Sequence, residues 1–236
     1  MKKNYFVGID VSKQTLDVAF IEVHNAERSQ PSWKVFDNNE KGLSSMKTWL
    51  QNNQVGLDGN TLFVIENTGL YHRRLMDFCN KHQLQLCIEN GAQVKWSLGI
   101  ARGKSDKVDS RRLATYALRF ADRLKPATAL QEGIQAIKDL ITLRNRHIVQ
   151  LSSLRSHLKE LKATTDGKAV KDLQKLHDPL MKAMKAAIQK IEAAIIKKIQ
   201  DNAVTKKQYH LLLSIPCIGP VTATYPIACT NAFTLC

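Results

Sequence analysis

Along the first ninety residues the apolar positions come in short runs, each stopped by a turn or a carboxylate. Residues 4–10 form a buried run that goes straight into Asp10, and residues 15–24 form a second, more alternating run. The turn Ser12-Lys13-Gln14 joins them, and Trp33 to Phe36 supplies a third strand, so the three predict a meander. An amphipathic helix is expected over Lys41 to Gln51, followed by a loop through Asn60. Thr61 to Glu66 (TLFVIE) is a short apolar strand that again ends in a carboxylate. A helix from about Leu70 to Lys81 and a strand from Leu84 to Glu89 follow. A meander followed by strands alternating with helices predicts a mixed α/β sheet.

The pattern then changes period. Leu113, Tyr116, Ala117 and Phe120 lie on one face of a helix over residues 109–123, and Pro126 marks a boundary. Ile134, Ile137, Ile141, Ile148, Leu151, Leu154, Leu158 and Leu161 recur at threes and fours, with Arg144 in the one gap. That is a long helix with a coiled-coil-like seam. Asp166-Gly167 interrupts it, and Asp178-Pro179 reads as a cap and first helical residue. A second seam runs through Leu180, Met184, Ile188, Ile191, Ile195 and Ile199. Two such helices fold back as an antiparallel hairpin or pair with another chain, and a single exposed seam favours a homo-oligomer. The tail ends a helix, turns at Pro216-Cys217-Ile218-Gly219-Pro220 and begins another, so it is expected to continue past Cys236.

Charge adds a partner. The net charge is +14, and residues 101–200 carry 22 Lys and Arg against 10 Asp and Glu, nearly the whole excess. A localised basic excess points to a polyanion, most often nucleic acid. The five cysteines include no C-x-x-C pair and the seven histidines no H-x-x-x-H pair, which argues against a zinc ribbon or a disulfide framework. No run of eighteen apolar residues predicts a membrane helix, no signal peptide is read, and a reducing cytoplasm is the expected setting.

The carboxylates at the strand ends suggest chemistry. If the first strand and the TLFVIE strand are parallel neighbours, Asp10 and Glu66 emerge on one edge. Asp106 and Asp109, in GKSDKVDSRR, are three apart and share a helical face. Four clustered carboxylates repel unless cations neutralise them, and all-oxygen donors suit Mg2+ or Mn2+. Two such ions clamp the attacking and leaving oxygens of a phosphodiester. Lys13, Arg102, Lys104, Lys107, Arg111 and Arg112 are the candidates for holding the phosphate backbone. Asp109 as a simple helix cap and Glu66 as an acceptor for backbone amides are the plain alternatives.

Three blocks, GIDVSKQTLDVAF, ENTGLYHRRL and KSDKVDSRRLATYA, resemble in order those of the DEDD transposases of bacterial insertion sequences. LLSIPCIGPVTA resembles the opening of that family's C-terminal transposase domain, usually written P-G-I-G. The resemblance implies a RuvC-like, RNase H-fold catalytic domain over residues 1–125. It also implies a coiled-coil linker over 126–204 and the start of a transposase domain over 205–236, with its turn near 216–220. It assigns the family's four acids to Asp10, Glu66, Asp106 and Asp109. It further implies DNA as substrate, a structured guide RNA, and a serine nucleophile in the C-terminal domain at a site shared between protomers. Two positions depart from the pattern. Cys217 stands where the family has its first turn glycine, which disfavours the turn's backbone. Ser214 precedes the turn and does not match the family's serine, whose segment is expected beyond Cys236.

Three rivals remain. VGIDVSK also resembles the first phosphate loop of actin-like sugar kinases and chaperone ATPases, but the D-x-G-G hairpin and glycine-rich adenosine loop of that class are missing. A RuvC-like junction nuclease shares acids and fold without the long helices. A nucleic-acid-binding remnant would keep the basic surface and need no metal.

Overall fold

The computed structural model describes residues 3–24, 27–97, 106–165 and 167–234. They divide into two units, 1–129 and 130–236.

The first unit is a mixed sheet with helices on both faces. Strand β1 (Tyr5–Val11) pairs antiparallel with β2 (Thr15–His24), and β4 (Ser32–Asp37) pairs antiparallel with the other side of β2. A two-residue strand β3 (Glu27–Arg28) extends the far end of β2. On its other side β1 pairs parallel with β5 (Thr61–Glu66), and β5 with β6 (Gln85–Glu89). Three antiparallel strands continued by two parallel ones across β1 is the RNase H-like arrangement. The parallel neighbours β1 and β5 are those that the strand-end carboxylates require.

Alternation assigns the faces. Val7, Ile9, Val11, Leu16, Val18, Phe63 and Ile65 pack on α1 (Glu40–Asn52) and α2 (Arg73–Lys81), through Leu43, Met46, Leu50, Leu75 and Cys79. Phe6, Leu62, Val64 and Cys87 meet α4 (Asp106–Arg119) through Leu113, Tyr116 and Ala117, and Ala19 and Ile21 meet Ala114. The short helix α3 (Gly91–Ser97) adds Val94 to that side. Gly8 lets α4 lie directly on the sheet, because a Cβ there would overlap the Ala114 nitrogen and the Ser110 carbonyl oxygen. Two helices depart from the expected bounds. The second begins at Arg73 instead of Leu70, after a turn over 69–72 in which Gly69 takes φ 70°. The helix expected over 109–123 spans Asp106–Arg119, with both acids in its first turn, where the helix dipole favours them.

The second unit is helical. α5 (Ile134–Thr164) and α6 (Gly167–Gln200) run antiparallel, with Arg144 against Glu192 and His157 facing His177. Ile134, Ile137 and Ile141 meet Ile191, Ile195 and Ile199, and α7 (Ala203–Leu213) and α8 (Pro220–Cys229) close the same core with Tyr209, Ala223 and Ile227. Arg144, the gap in the seam, is satisfied by Glu192 at 2.7 Å and by the Tyr225 hydroxyl at 3.4 Å. Asp178-Pro179 does not start a helix: Pro179 lies inside α6, which is continuous from Gly167. An interior proline costs about 3 kcal/mol, and α6 runs on through it. Asp166, part of the expected break, lies outside the described residues.

Candidate active site

Asp10 ends the sheet side that faces α4, since it shares its face with Phe6 and Gly8. Glu66 shares its face with Leu62 and Val64 on the neighbouring parallel strand. α4 runs back along this face with Asp106 and Asp109 in its first turn. The four carboxylates, from three separate segments, therefore lie toward one end of the sheet. Their mutual field is visible at Asp10, whose carboxyl is pushed up to about 6. Burial is the largest cause, followed by the charges of Asp106, Asp109, Asp17 and Glu66. Glu66 and Asp106 are exposed, while Asp10 and Asp109 are half-buried. The Glu66 carboxylate rests against Gly91 at the start of α3, where a Cβ would collide with it.

Asp17 is a fifth acid that was not singled out from the sequence. It is the antiparallel partner of Asp10 across the β1–β2 hairpin, is only 6% exposed, and accepts a hydrogen bond from the Trp33 indole at 3.1 Å. Burial raises its carboxyl, the Trp33 bond lowers it, and the charge of Asp106 raises it again. The hairpin closes on Lys13-Gln14, with the Ser12 N–H donating to the Thr15 carbonyl at 2.9 Å, and this register puts residue 17 opposite residue 10; a carboxylate inside an apolar strand needs a partner. Glu89, level with Glu66 on β6, accepts from the Tyr116 hydroxyl at 3.1 Å.

The basic candidates divide. Lys13 is exposed in the turn just beyond Asp10. Lys107 lays its ammonium over the Trp33 ring, 4.7 Å from the centroid, and Arg111 donates to the Pro31 carbonyl at 3.4 Å. Both therefore brace α4 against the start of β4. Arg112 is half-buried, and Arg102 and Lys104 lie outside the described residues.

The donor set is carboxylate oxygen throughout, the chemistry of a hard divalent ion. Among the described residues no three His, Cys, Asp or Glu side chains converge closely enough to coordinate one ion. Exposed Glu66 and Asp106 have the rotamer freedom to close that gap.

A DEDD-type transposase family model of the IS110 group, described as "Transposase", matches residues 7–165. The chain belongs to this family. The pilin gene-inverting proteins of Moraxella bovis and Moraxella lacunata are each 35% identical to this transposase-family chain over 121 residues, covering 49% of it and 34% of their own length. The chain thus spans about a third of the length of these curated relatives. Among solved structures, Thermus thermophilus RuvC in complex with a Holliday junction substrate aligns at 12% identity and a TM-score of 0.39, over 52% of this chain and 99% of that one.

Proposed function

We propose that the chain carries the DEDD half of a DNA transposase or site-specific recombinase of a mobile insertion element, with Asp10, Glu66, Asp106 and Asp109 performing divalent-metal-dependent phosphodiester chemistry. The observation that carries this reading is the placement of the acids: Asp10 and Glu66 end neighbouring parallel strands, and Asp106 and Asp109 open the helix that lies on the same face. Four acids from three segments are held where they repel, an arrangement that costs stability unless a cation is meant to sit among them. Mg2+ or Mn2+ there would neutralise the cluster and polarise a phosphoryl oxygen. Asp10 and Asp109, anchored on β1 and on α4, fix the floor of the site. Glu66 on β5 and the exposed Asp106 on α4 would complete it. Lys13 stands at the rim, where a phosphate backbone would pass.

The partners follow from the same reading. DNA is the substrate, a structured guide RNA selects it, and the protein works as a homo-oligomer. Val149, Leu176 and Leu180 are 68%, 75% and 51% exposed on α5 and α6, apolar area that self-association would bury. Among the described residues no helix is long and apolar enough to cross a membrane, and a bacterial cytoplasm is the setting we propose. Cleavage of duplex DNA in Mn2+ tests the reading. Asp10→Asn is expected to lower the rate by a factor of about a hundred or more, on the scale of losing transition-state charge stabilisation, with DNA affinity kept. Equal rates in parent and variant would contradict it.

A second reading rests on the acids not converging on one ion as placed. A nucleic-acid-binding remnant would bind DNA with strong salt dependence and show no cleavage and no response to metal.

A further inference from the structure

We propose that Asn38 is a positioning residue that sets the spacing between Asp10 and Glu66. The inference rests on the reading of those two carboxylates as metal-holding groups.

The parallel ladder between β1 and β5 runs from Tyr5 opposite Thr61 to Ile9 opposite Ile65, and stops there. Asp10 and Glu66 lie one residue past its last pair. Beyond that point Asp10 stays paired with Asp17 and Glu66 with Glu89, but between the two strand ends themselves the link passes through whatever ties together the segments that follow them. Those segments are the turn at 12–14 and the loop at 67–72, and Asn38, in the link between β4 and α1, bonds to both.

Asn38 is only 5% exposed. Its side-chain Nδ2 donates to the Ser12 carbonyl at 2.8 Å and to the Tyr71 carbonyl at 2.9 Å. Its backbone N–H donates to the Gln14 carbonyl at 2.7 Å, and its own carbonyl accepts from Arg74 Nη1 at 2.9 Å. Carbonyl oxygens only accept, so the amide nitrogen must face Ser12 and Tyr71 and the orientation of the amide is fixed. Oδ1 is then left buried without a partner. An unpaired buried acceptor destabilises a fold, so core filling alone would favour an apolar side chain here. What the amide supplies is a pair of donors, one to the turn that follows Asp10 and one to the loop that follows Glu66. No aliphatic side chain supplies either.

The test uses Asn38→Leu, which keeps the branched shape and removes both donors, with Asn38→Ser, which keeps one donor, as the milder variant should the first not fold. Two quantities are read on the metal-free chain: hydrogen exchange of backbone amides, and Mn2+ affinity by calorimetry. In Asn38→Leu, exchange in residues 12–15 and 67–72 should accelerate about tenfold while α4 stays within about twofold. The Mn2+ dissociation constant should rise about tenfold or more, the scale of losing an outer support of a metal site. Asn38→Ser should fall between parent and Asn38→Leu in both readings, a grading that a filling role would not produce. Exchange unchanged in both segments would overturn the clamp. Loosened segments with unchanged Mn2+ affinity would overturn its positioning role. Loosened segments in a parent that binds no Mn2+ would leave the clamp standing and sink the metal reading beneath it.

Discussion

Asp10 carries the most consequence per atom. Its carboxyl stands at about 6 in the folded chain, against an ordinary value of 3.8. A group raised in this way stabilises the fold while protonated. That contribution is complete below about pH 4 and is lost as the pH rises through 6. Without divalent ions, stability should therefore fall between these limits. Asp10→Asn should flatten the slope and be the more stable protein at pH 7, by on the order of 1 kcal/mol after solvent screening of a half-exposed group. Urea midpoints across that range check it, and a slope kept in the variant would contradict it. At Cys217 the expected conflict is real but absorbed: the residue takes φ 69°, the left-handed backbone the family's glycine would supply. Cys217→Gly should raise stability by about 1 kcal/mol, read as a shift in the urea midpoint. No gain would mean that the turn does not hold that backbone.

Between elements, the site depends on how closely α4 approaches β1. Gly8→Val would push Ser110 and Ala114 off the sheet and carry Asp106 and Asp109 away from Asp10. A loss of about 1–3 kcal/mol is expected from overpacking, measured by chemical denaturation. The raised carboxyl of Asp10 should relax downward with it, readable by NMR titration. In the helical unit the Arg144–Glu192 pair is largely enclosed, its side chains 16% and 26% exposed. Glu192→Ala should cost about 1.5–3 kcal/mol, the worth of a hydrogen bond to a charged group. A change of less than a few tenths would show the pair to be ornamental. The sequence made some of these elements readable. β1 and β5 are nearly continuous apolar runs ending in acids, and the α5 and α6 seams keep helical spacing. It hid others. Pro179 reads locally as a helix start, yet α6 is continuous through it. Asp17 needed a register, and the four bonds of Asn38 join segments that are distant in the chain.

For the molecule as a whole, the basic excess and the acidic edge are separate features. The sheet unit concentrates Asp10, Asp17, Glu66, Asp106 and Asp109 at one end, while most lysines of residues 101–200 lie on α5 and α6. Their position beside the acids makes Lys107 and Arg111 phosphate candidates; in the fold Lys107 lies over Trp33 and Arg111 donates to the Pro31 carbonyl. The central claim is that the acids at the sheet edge form a divalent-metal site, and one measurement tests it most directly. Melting temperature is followed against Mn2+ concentration, with duplex DNA present, for the parent and for the Asp10→Asn, Asp109→Asn double variant. A ligand that binds only the folded state raises its melting point. The account predicts that Mn2+ stabilises the parent and leaves the double variant unmoved. An equal response in both, or none in either, would contradict it.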